Sequence, residues 1–358
     1  MVTVRLSYDI LIGRGLLGEL PTLLHKACPA ARYAVIADSH VADLYGKKIA
    51  AALQADLFTF PAGEWNKTRE TWAGLTDRLL AAHVGRDAAI VALGGGVAGD
   101  IAGFVAATYL RGVPYVQVPT TLLAMIDSSI GGKTGVDVPA GKNLVGAFHQ
   151  PQLVVIDLDV LATLPAVQLA AGMAEALKHG VIADAEYFAF LEKEQRAVAA
   201  KDGATLDRVV ARSVEIKAAV VSRDEREAGL RAVLNFGHTV AHAIEAVAKY
   251  EVPHGEAVAI GMAQEARLAE TLGIAEPGTA DRLQRLLERY ALPLELPRSA
   301  TVDDLIAAMQ LDKKAREGTV RFALPQAIGR MYGDGKSWTV AAPQAVVRDV
   351  LGGAGRRA

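Results

Sequence analysis

Ala88-Ala89-Ile90-Val91-Ala92-Leu93 is an unbroken apolar run about one strand long, and Gly94-Gly95-Gly96 follows it at once. Such a run predicts a strand covered on both faces, as in a parallel sheet. Residues 97–110 then read as an apolar helix carrying Gly99, Asp100 and Gly103. Glycines between a buried strand and a helix allow a tight turn and let a ligand approach the backbone. The N–H groups at the start of the helix suit an anion such as a pyrophosphate. A second strand, 115–118, runs into Pro119-Thr120-Thr121. Next come Asp127-Ser128-Ser129, Gly131-Gly132-Lys133-Thr134-Gly135 and Gly141-Lys142-Asn143, read as loops for a phosphorylated or nucleotide ligand. Spacing alone goes no further. The glycine run is not a clean dinucleotide fingerprint. Gly132-Lys133-Thr134 lacks the earlier glycine of a P-loop, Asp127 standing in its place. Ordinary glycine turns in an α/β protein fit the same spacing.

Working outward, residues 2–6 and 8–12 read as two strands, and 33–37 as a buried strand ending in Asp38. An acid at the carboxyl end of a strand suits a ribose hydroxyl, and equally suits a helix cap. Helices are expected over 20–27, 41–55 and 70–83, and strands over 57–60 and 153–156, with Pro61 to Thr68 as a polar turn. This alternation predicts a Rossmann-like, doubly wound, mostly parallel sheet. Near residue 158 the character changes, and 161–165 reads as a hinge. Beyond it helices are expected over 167–183, 185–199, 204–222, 232–248, 257–272, 280–290, 302–309 and 343–351, with one strand over 319–324. The expected organisation is an α/β nucleotide-binding domain over 1–158 and a mostly α-helical domain over 159–358. The active site is expected in the cleft between them.

The chain has 358 residues, 51% hydrophobic and 22% charged, which is globular rather than disordered. A net charge of −2 gives no argument for nucleic acid or an anionic membrane, so an anionic substrate needs a local basic cluster. One cysteine, Cys28, fits a reducing cytoplasm, and residues 1–10 lack the regions of a signal peptide. The most apolar segment, 97–110, is too short to span a bilayer.

The second half carries its own chemistry. Glu175 and Lys178 are three apart and share a helix face. His238 and His242 stand at i and i+4, again on one face, and His254-Gly255-Glu256 is read as a short loop. Imidazoles and a carboxylate suit zinc, and three protein ligands with an open position suit a catalytic ion. Spacing picks His238 and His242 as the pair; core or capping histidines would leave the same pattern. Lys178, Lys217, Arg231, Lys313 and Lys314, with Lys133 and Lys142, are available as the local positive field, although lysine is usually a solvated surface residue. Arg223 to Glu227 reads as a solvated face.

These residues resemble the 3-dehydroquinate synthase family over essentially the whole chain. The matching segments include Gly63-Glu64-x-x-Lys67, Gly94-Gly95-Gly96-Val97-x-Gly99-Asp100, Thr108 to Gly112 and Val118 to Ala124. They continue through Asp127 to Gly135, Gly141 to Phe148, Ala174-Glu175-x-x-Lys178, and Leu234-Asn235-x-Gly237-His238-Thr239 with His242. His254 to Val258 and Asp312-Lys313-Lys314 complete the match. The resemblance implies NAD held by Asp38, Glu64, Lys67, Gly95, Gly96, Val97, Gly99, Asp100, Thr120, Thr121, Asp127, Ser128, Lys133, Lys142, Leu161 and Thr163. It implies a divalent metal, zinc with cobalt as a substitute, on Glu175, His238 and His254, which overrules the spacing-based pair. His242 then belongs to the substrate.

Lys133, Asn143, Lys178, Lys217, Arg231, Asn235 and Lys313 would bind the substrate's phosphate, carboxylate and hydroxyls. Arg111 would reach the phosphate of a neighbouring subunit in a homodimer. The implied reaction converts 3-deoxy-D-arabino-heptulosonate 7-phosphate to 3-dehydroquinate and phosphate in the shikimate pathway, with NAD regenerated in each turnover. The alternatives are a sister cyclase acting on sedoheptulose 7-phosphate or glucose 6-phosphate, a metal-dependent polyol dehydrogenase, and a nucleotide-sensing binding protein.

Overall fold

A computed structural model describes residues 1–249, 251–311, 320–333 and 337–353. The chain divides into two compact units. Met1–Gln168 with Leu206–Ala218 form the first, and Leu169–Thr205 with Ala219–Ala358 the second.

The first unit is built on a seven-stranded sheet. Its strands are β1 (Val2–Arg5), β2 (Asp9–Gly13), β3 (Arg32–Asp38), β4 (Asp56–Phe60), β5 (Ala88–Gly94) and β6 (Tyr115–Pro119), then a two-stranded hairpin β7 (Lys133–Val138) and β8 (Gly141–Phe148) outside the sheet, then β9 (Leu153–Asp157). The sheet order is β1-β2-β9-β6-β5-β3-β4. Only β1 and β2 pair antiparallel; every other pairing in this sheet is parallel. Period-two alternation explains the apolar run of β5. Ala88, Ile90 and Ala92 enter one core with helices Arg69–Ala81 and Gly96–Thr108. Ala89, Val91 and Leu93 enter another with helix Leu16–Ala27 and residues of helix Lys47–Leu53. All seven residues of β5 are buried, and each fully buried Val, Leu or Ile contributes about 2 kcal/mol.

The order also locates a switch point. From β3 the chain goes outward to β4 and returns to β5 on the other side of β3. Asp38 ends β3 and Gly94 ends β5, so both lie at the carboxyl edge where open α/β sheets bind ligands. Gly94 has φ +151°, and a Cβ there would stand 2.6 Å from Ala98 Cβ, so only glycine fits.

Unit 1 runs to Gln168, past the 158/159 boundary read from the sequence. The stretch expected as a hinge is a 3-10 helix, Leu158–Thr163, whose Leu158, Val160 and Leu161 are buried. Residues 206–218 of helix Gly203–Arg223 join this unit, with Asp207 2.6 Å from Arg14 and Lys217 2.5 Å from Asp127. The segment read as phosphate loops is mostly the β7–β8 hairpin, with Gly135 and Gly146 allowing the two backbones to meet closely.

The second unit is mostly helical. Helix Ala166–Ala183 leads into it, and Ala185–Lys193, Gln195–Ala199, His238–Val247, His254–Thr271, Thr279–Arg289, Val302–Leu311 and Gln344–Leu351 follow. The single helix expected over 232–248 is two pieces. A 3-10 helix, Leu230–Asn235, precedes Gly237 at φ +80°, and an α-helix restarts at His238. His254 is the first residue of a helix rather than part of a loop, because Pro253 precedes it as the extended N-cap. Of the expected strand over 319–324, Arg321–Phe322 forms, paired with Val340–Ala341. Pro325–Ala327 pairs with Arg330–Met331, and strands this short carry no readable period.

Candidate active site

In unit 1 the sequence places a lysine among acids. Lys67 is buried, 2.6 Å from Asp100 Oδ2, and its ammonium donates to Asn143 Oδ1 at 2.6 Å. Lys142 lies 3.2 Å from Glu64. Asn143, at φ +54°, donates its N–H to Asp137 Oδ1, and Asp137 in turn donates its N–H to the Lys67 carbonyl. Burial lowers the affinity of Lys67 for its proton, but Asp100, Glu64 and Asp137 together outweigh that and raise its pKa. Burial raises the pKa of Asp100, against Lys67. Asp137 was not singled out by motif reading, because its role comes through backbone contacts between strand β7, residue Asn143 and Lys67.

The helix Gly96–Thr108 starts at this carboxyl edge with Gly95 as an N-cap that supplies no side chain. Its first N–H groups are therefore available to an anion. A Cβ on Gly95 would stand 3.2 Å from Thr121 Cγ2, and one on Gly96 3.1 Å from Ser128 Oγ. Val97 and Gly99 follow on the same helix, and the Thr120 N–H reaches the Gly94 carbonyl. Asp38 caps the next helical turn through Oδ1, which accepts from the N–H groups of His40 and Val41. Thr163 Oγ1 lies 2.6 Å from the hydroxyl of Tyr45, a residue motif reading missed, and Leu161 is buried. Lys217 Nζ donates to both the carbonyl and the carboxylate of Asp127 at 2.5 Å. Lys133 and Arg111 are exposed, and Arg111 follows Leu110 with both in the left-handed region.

In unit 2 the polar groups gather on three helices. Glu175, Lys178, His238 and Arg231 are buried. Glu175 forms an ion pair with Lys178 one turn on. Glu175 Oε1 lies 3.5 Å from His238 Nε2 and 3.6 Å from His254 Nε2. The three ligand atoms lie within 4.8 Å of one another. Close backbone packing brings them together. A Cβ on Gly261 would stand 1.9 Å from the Gly237 carbonyl, which locks helices His238–Val247 and His254–Thr271. A Cβ on Gly255 would stand 2.4 Å from Ala171 Cα, which sets His254 against the helix carrying Glu175. Buried Glu265 accepts from the N–H groups of Gly237 at 2.7 Å and Val240 at 3.1 Å, capping the helix that starts with His238.

His242, the partner that spacing selected, stands edge-on to His238 with ring centroids 5.5 Å apart; His254 completes the cluster instead. A helix period sees one helix, whereas the third group comes from the next. The other ring nitrogens are also placed, His238 Nδ1 3.1 Å from the Phe236 carbonyl and His254 Nδ1 3.2 Å from Glu245 Oε1.

The cluster fits a divalent cation. Glu175 Oε2 is paired with Lys178, whereas Oε1 is buried without a hydrogen-bond partner and faces both imidazoles, and two imidazoles with one carboxylate form an N/O set suited to zinc. Burial raises the pKa of Glu175, but Lys178 and the two histidines hold it well below the usual carboxylate range. Burial and Lys178 push His238 well down. Burial also lowers His254, but Glu175 and Glu245 raise it to about 10.

Arg223 to Glu227 is not a plain solvated face. Asp224 accepts from the N–H groups of Ala228, Gly229 and Arg231, which shapes the loop. The Arg231 guanidinium donates to the Glu225 carbonyl, and Asn235 Nδ2 donates to Glu227 Oε1 at 2.6 Å. Lys313 and Lys314 lie outside the described residues.

A doubly wound sheet with glycine turns at its switch point, followed by helices that bury a His–His–Glu cluster, defines a class of enzyme with a nucleotide-type edge and a metal-type centre. Residues 57–171 match the family described as 3-dehydroquinate synthase N-terminal, and residues 172–315 the one described as 3-dehydroquinate synthase C-terminal. The chain is 52% identical over 325 residues to the 3-dehydroquinate synthase of Symbiobacterium thermophilum, covering 89% of this chain and 91% of that one. Among solved structures, the 2-epi-5-epi-valiolone synthase of Streptomyces hygroscopicus, with NAD+ and Zn2+ bound, is 33% identical with a TM-score of 0.87, covering 100% and 99%. A 2-deoxy-scyllo-inosose synthase complexed with carbaglucose-6-phosphate, NAD+ and Co2+ is 27% identical with a TM-score of 0.87, covering 96% of each chain. The chain belongs to the 3-dehydroquinate synthase family.

Proposed function

We propose that the chain eliminates phosphate from 3-deoxy-D-arabino-heptulosonate 7-phosphate and closes the ring to 3-dehydroquinate, using NAD and a divalent cation, zinc or cobalt. The observation that carries this reading is the cluster of buried Glu175 and His238 with half-buried His254 in a chain of this family. Bound NAD would supply a hydride acceptor that is regenerated within the turnover. The cation would supply positive charge at the substrate's vicinal hydroxyls, worth several kcal/mol to a developing carbonyl.

The chain's own residues position and bind. Glu64, Lys67, Asp100 and Lys142 would hold the nucleotide, with the helix start at Gly95 and Gly96 taking the pyrophosphate. Lys178, buried beside Glu175, and Arg231, shaped by the 224–231 loop, would meet the substrate's anionic groups with Lys133, Lys217 and Lys313. Asn143, Asn235 and His242 would contact hydroxyls and phosphate. The substrate's own phosphate is the proposed base for the elimination, so the protein contributes mainly positioning and electrostatics. The exposed Arg111 in its left-handed turn supports a homodimer in which it reaches the neighbouring site. A single buried free cysteine agrees with a reducing, cytoplasmic setting, and the proposed reaction places the chain in the shikimate pathway. No helix among the described residues is long and apolar enough to cross a membrane.

The test is inorganic phosphate release from this substrate with NAD present, before and after a chelator. Release that stops on chelation, returns with zinc and leaves no net NADH is the expected outcome. Turnover of sedoheptulose 7-phosphate instead would reassign the substrate to that of a sister cyclase, and net NADH would indicate a polyol dehydrogenase.

A further inference from the structure

Glu245 is a buried carboxylate outside the proposed ligands and outside the residues assigned to nucleotide or sugar phosphate. It stands seven residues after His238 on the helix His238–Val247, and so on the same face. Its Oε1 lies 3.2 Å from His254 Nδ1, and the other ring nitrogen of His254, Nε2, lies 3.6 Å from Glu175 Oε1. A carboxylate accepts, so this contact puts a proton on Nδ1 and leaves Nε2 as the nitrogen that faces the cluster. We infer that Glu245 is a positioning residue of the metal site: it holds His254 in the ring orientation and tautomer that present Nε2 to a divalent cation, and its charge strengthens that nitrogen as a donor.

The other two groups explain why His254 needs this help. Glu175 and His238 are buried in helices that pack around them, and His238 Nδ1 faces the Phe236 carbonyl of its own turn. His254 opens its helix after Pro253 and keeps a third of its side chain exposed. Packing holds it least, and its partner comes from a different helix.

The inference rests on the ligand reading of Glu175, His238 and His254, and the experiment separates the two. Zinc affinity is measured by competition with a chromophoric chelator for the full-length parent, Glu245→Gln, Glu245→Ala and His254→Ala. The visible absorption of the cobalt-loaded proteins is recorded alongside. Zinc affinity is expected to fall about tenfold in Glu245→Gln and about a hundredfold in Glu245→Ala. The cobalt spectrum should change, with NAD affinity as in the parent. Parental zinc affinity and cobalt spectrum in both Glu245 variants, beside loss of zinc in His254→Ala, would overturn the positioning role alone. Parental zinc affinity in His254→Ala would overturn the ligand reading itself. Should Glu245→Ala fail to fold, the isosteric Glu245→Gln decides.

Discussion

The two polar clusters are balanced in opposite ways. At the nucleotide edge Lys67 meets Asp100 and Asn143, Asn143 is tied to Asp137, and Lys142 meets Glu64, so donors and acceptors find each other within unit 1. In unit 2 one Glu175 oxygen is paired with Lys178, and the other, buried without a hydrogen-bond partner, faces two imidazole nitrogens. The first cluster is held in place by its own ion pairs and hydrogen bonds, as the proposed nucleotide site requires. The second leaves one buried carboxylate oxygen converging with two imidazole nitrogens, a donor set whose natural complement is a cation.

The comparison is broken most decisively by removing a ligand. His254→Ala is expected to abolish metal binding and turnover while the far-ultraviolet circular dichroism stays parental; metal analysis showing a full complement would end the ligand reading. Glu175→Ala should act on stability as well, since it leaves Lys178 buried without its partner, at a cost of about 4 kcal/mol in urea unfolding with chelator present. A loss below about 1 kcal/mol would mean that water already screens the pair. Glu265→Ala leaves two buried helix-start N–H groups without their acceptor and should cost about 2 kcal/mol. Unchanged unfolding would remove it from the packing of the His238 helix.

On the nucleotide side the expected effects are smaller. Asp100→Ala should weaken NAD about tenfold, or about 1.4 kcal/mol, with zinc affinity unaltered. An unaltered NAD titration would take Asp100 out of that site.

The pH dependence tests the unit 2 cluster with no metal bound. His254 has its folded pKa raised to about 10 from 6.5, so its stabilisation is fully present below 6.5 and is lost as pH rises through about 10. The melting temperature of the metal-free protein should therefore fall between pH 7 and pH 9, a window chosen because burial also raises the Cys28 thiol, to about 11, and its contribution is lost only above pH 9. With zinc bound the fall should vanish, because the metal replaces the proton. A flat profile in chelator would show that Glu175 and Glu245 do not hold the charged ring.

Much of the fold was legible because its signals are local. The run from Ala88 to Leu93 is apolar on both faces and strand-length, and alternation of strands with helices up to Asp157 leaves a parallel sheet as the economical solution. Gly94 was legible for the same reason, as a strand-to-helix turn that tolerates no Cβ. Asp137, Asp224, Glu227 and Tyr45 were not, because each acts on a group brought to it by the folded chain, often a backbone atom that no motif encodes.

By itself, then, the sequence determined the two-part architecture, the glycine-turn edge and a supply of histidines and acids suited to a cation. The tertiary structure decided which of them meet. His238 and His242 share a helix face by period alone, yet His254 closes the cluster, because Gly237, Gly255 and Gly261 let three helices approach closer than any side chain would allow. Period is a property of one helix. A coordination set is a property of several, and the distance between helices is set by what their backbones can touch.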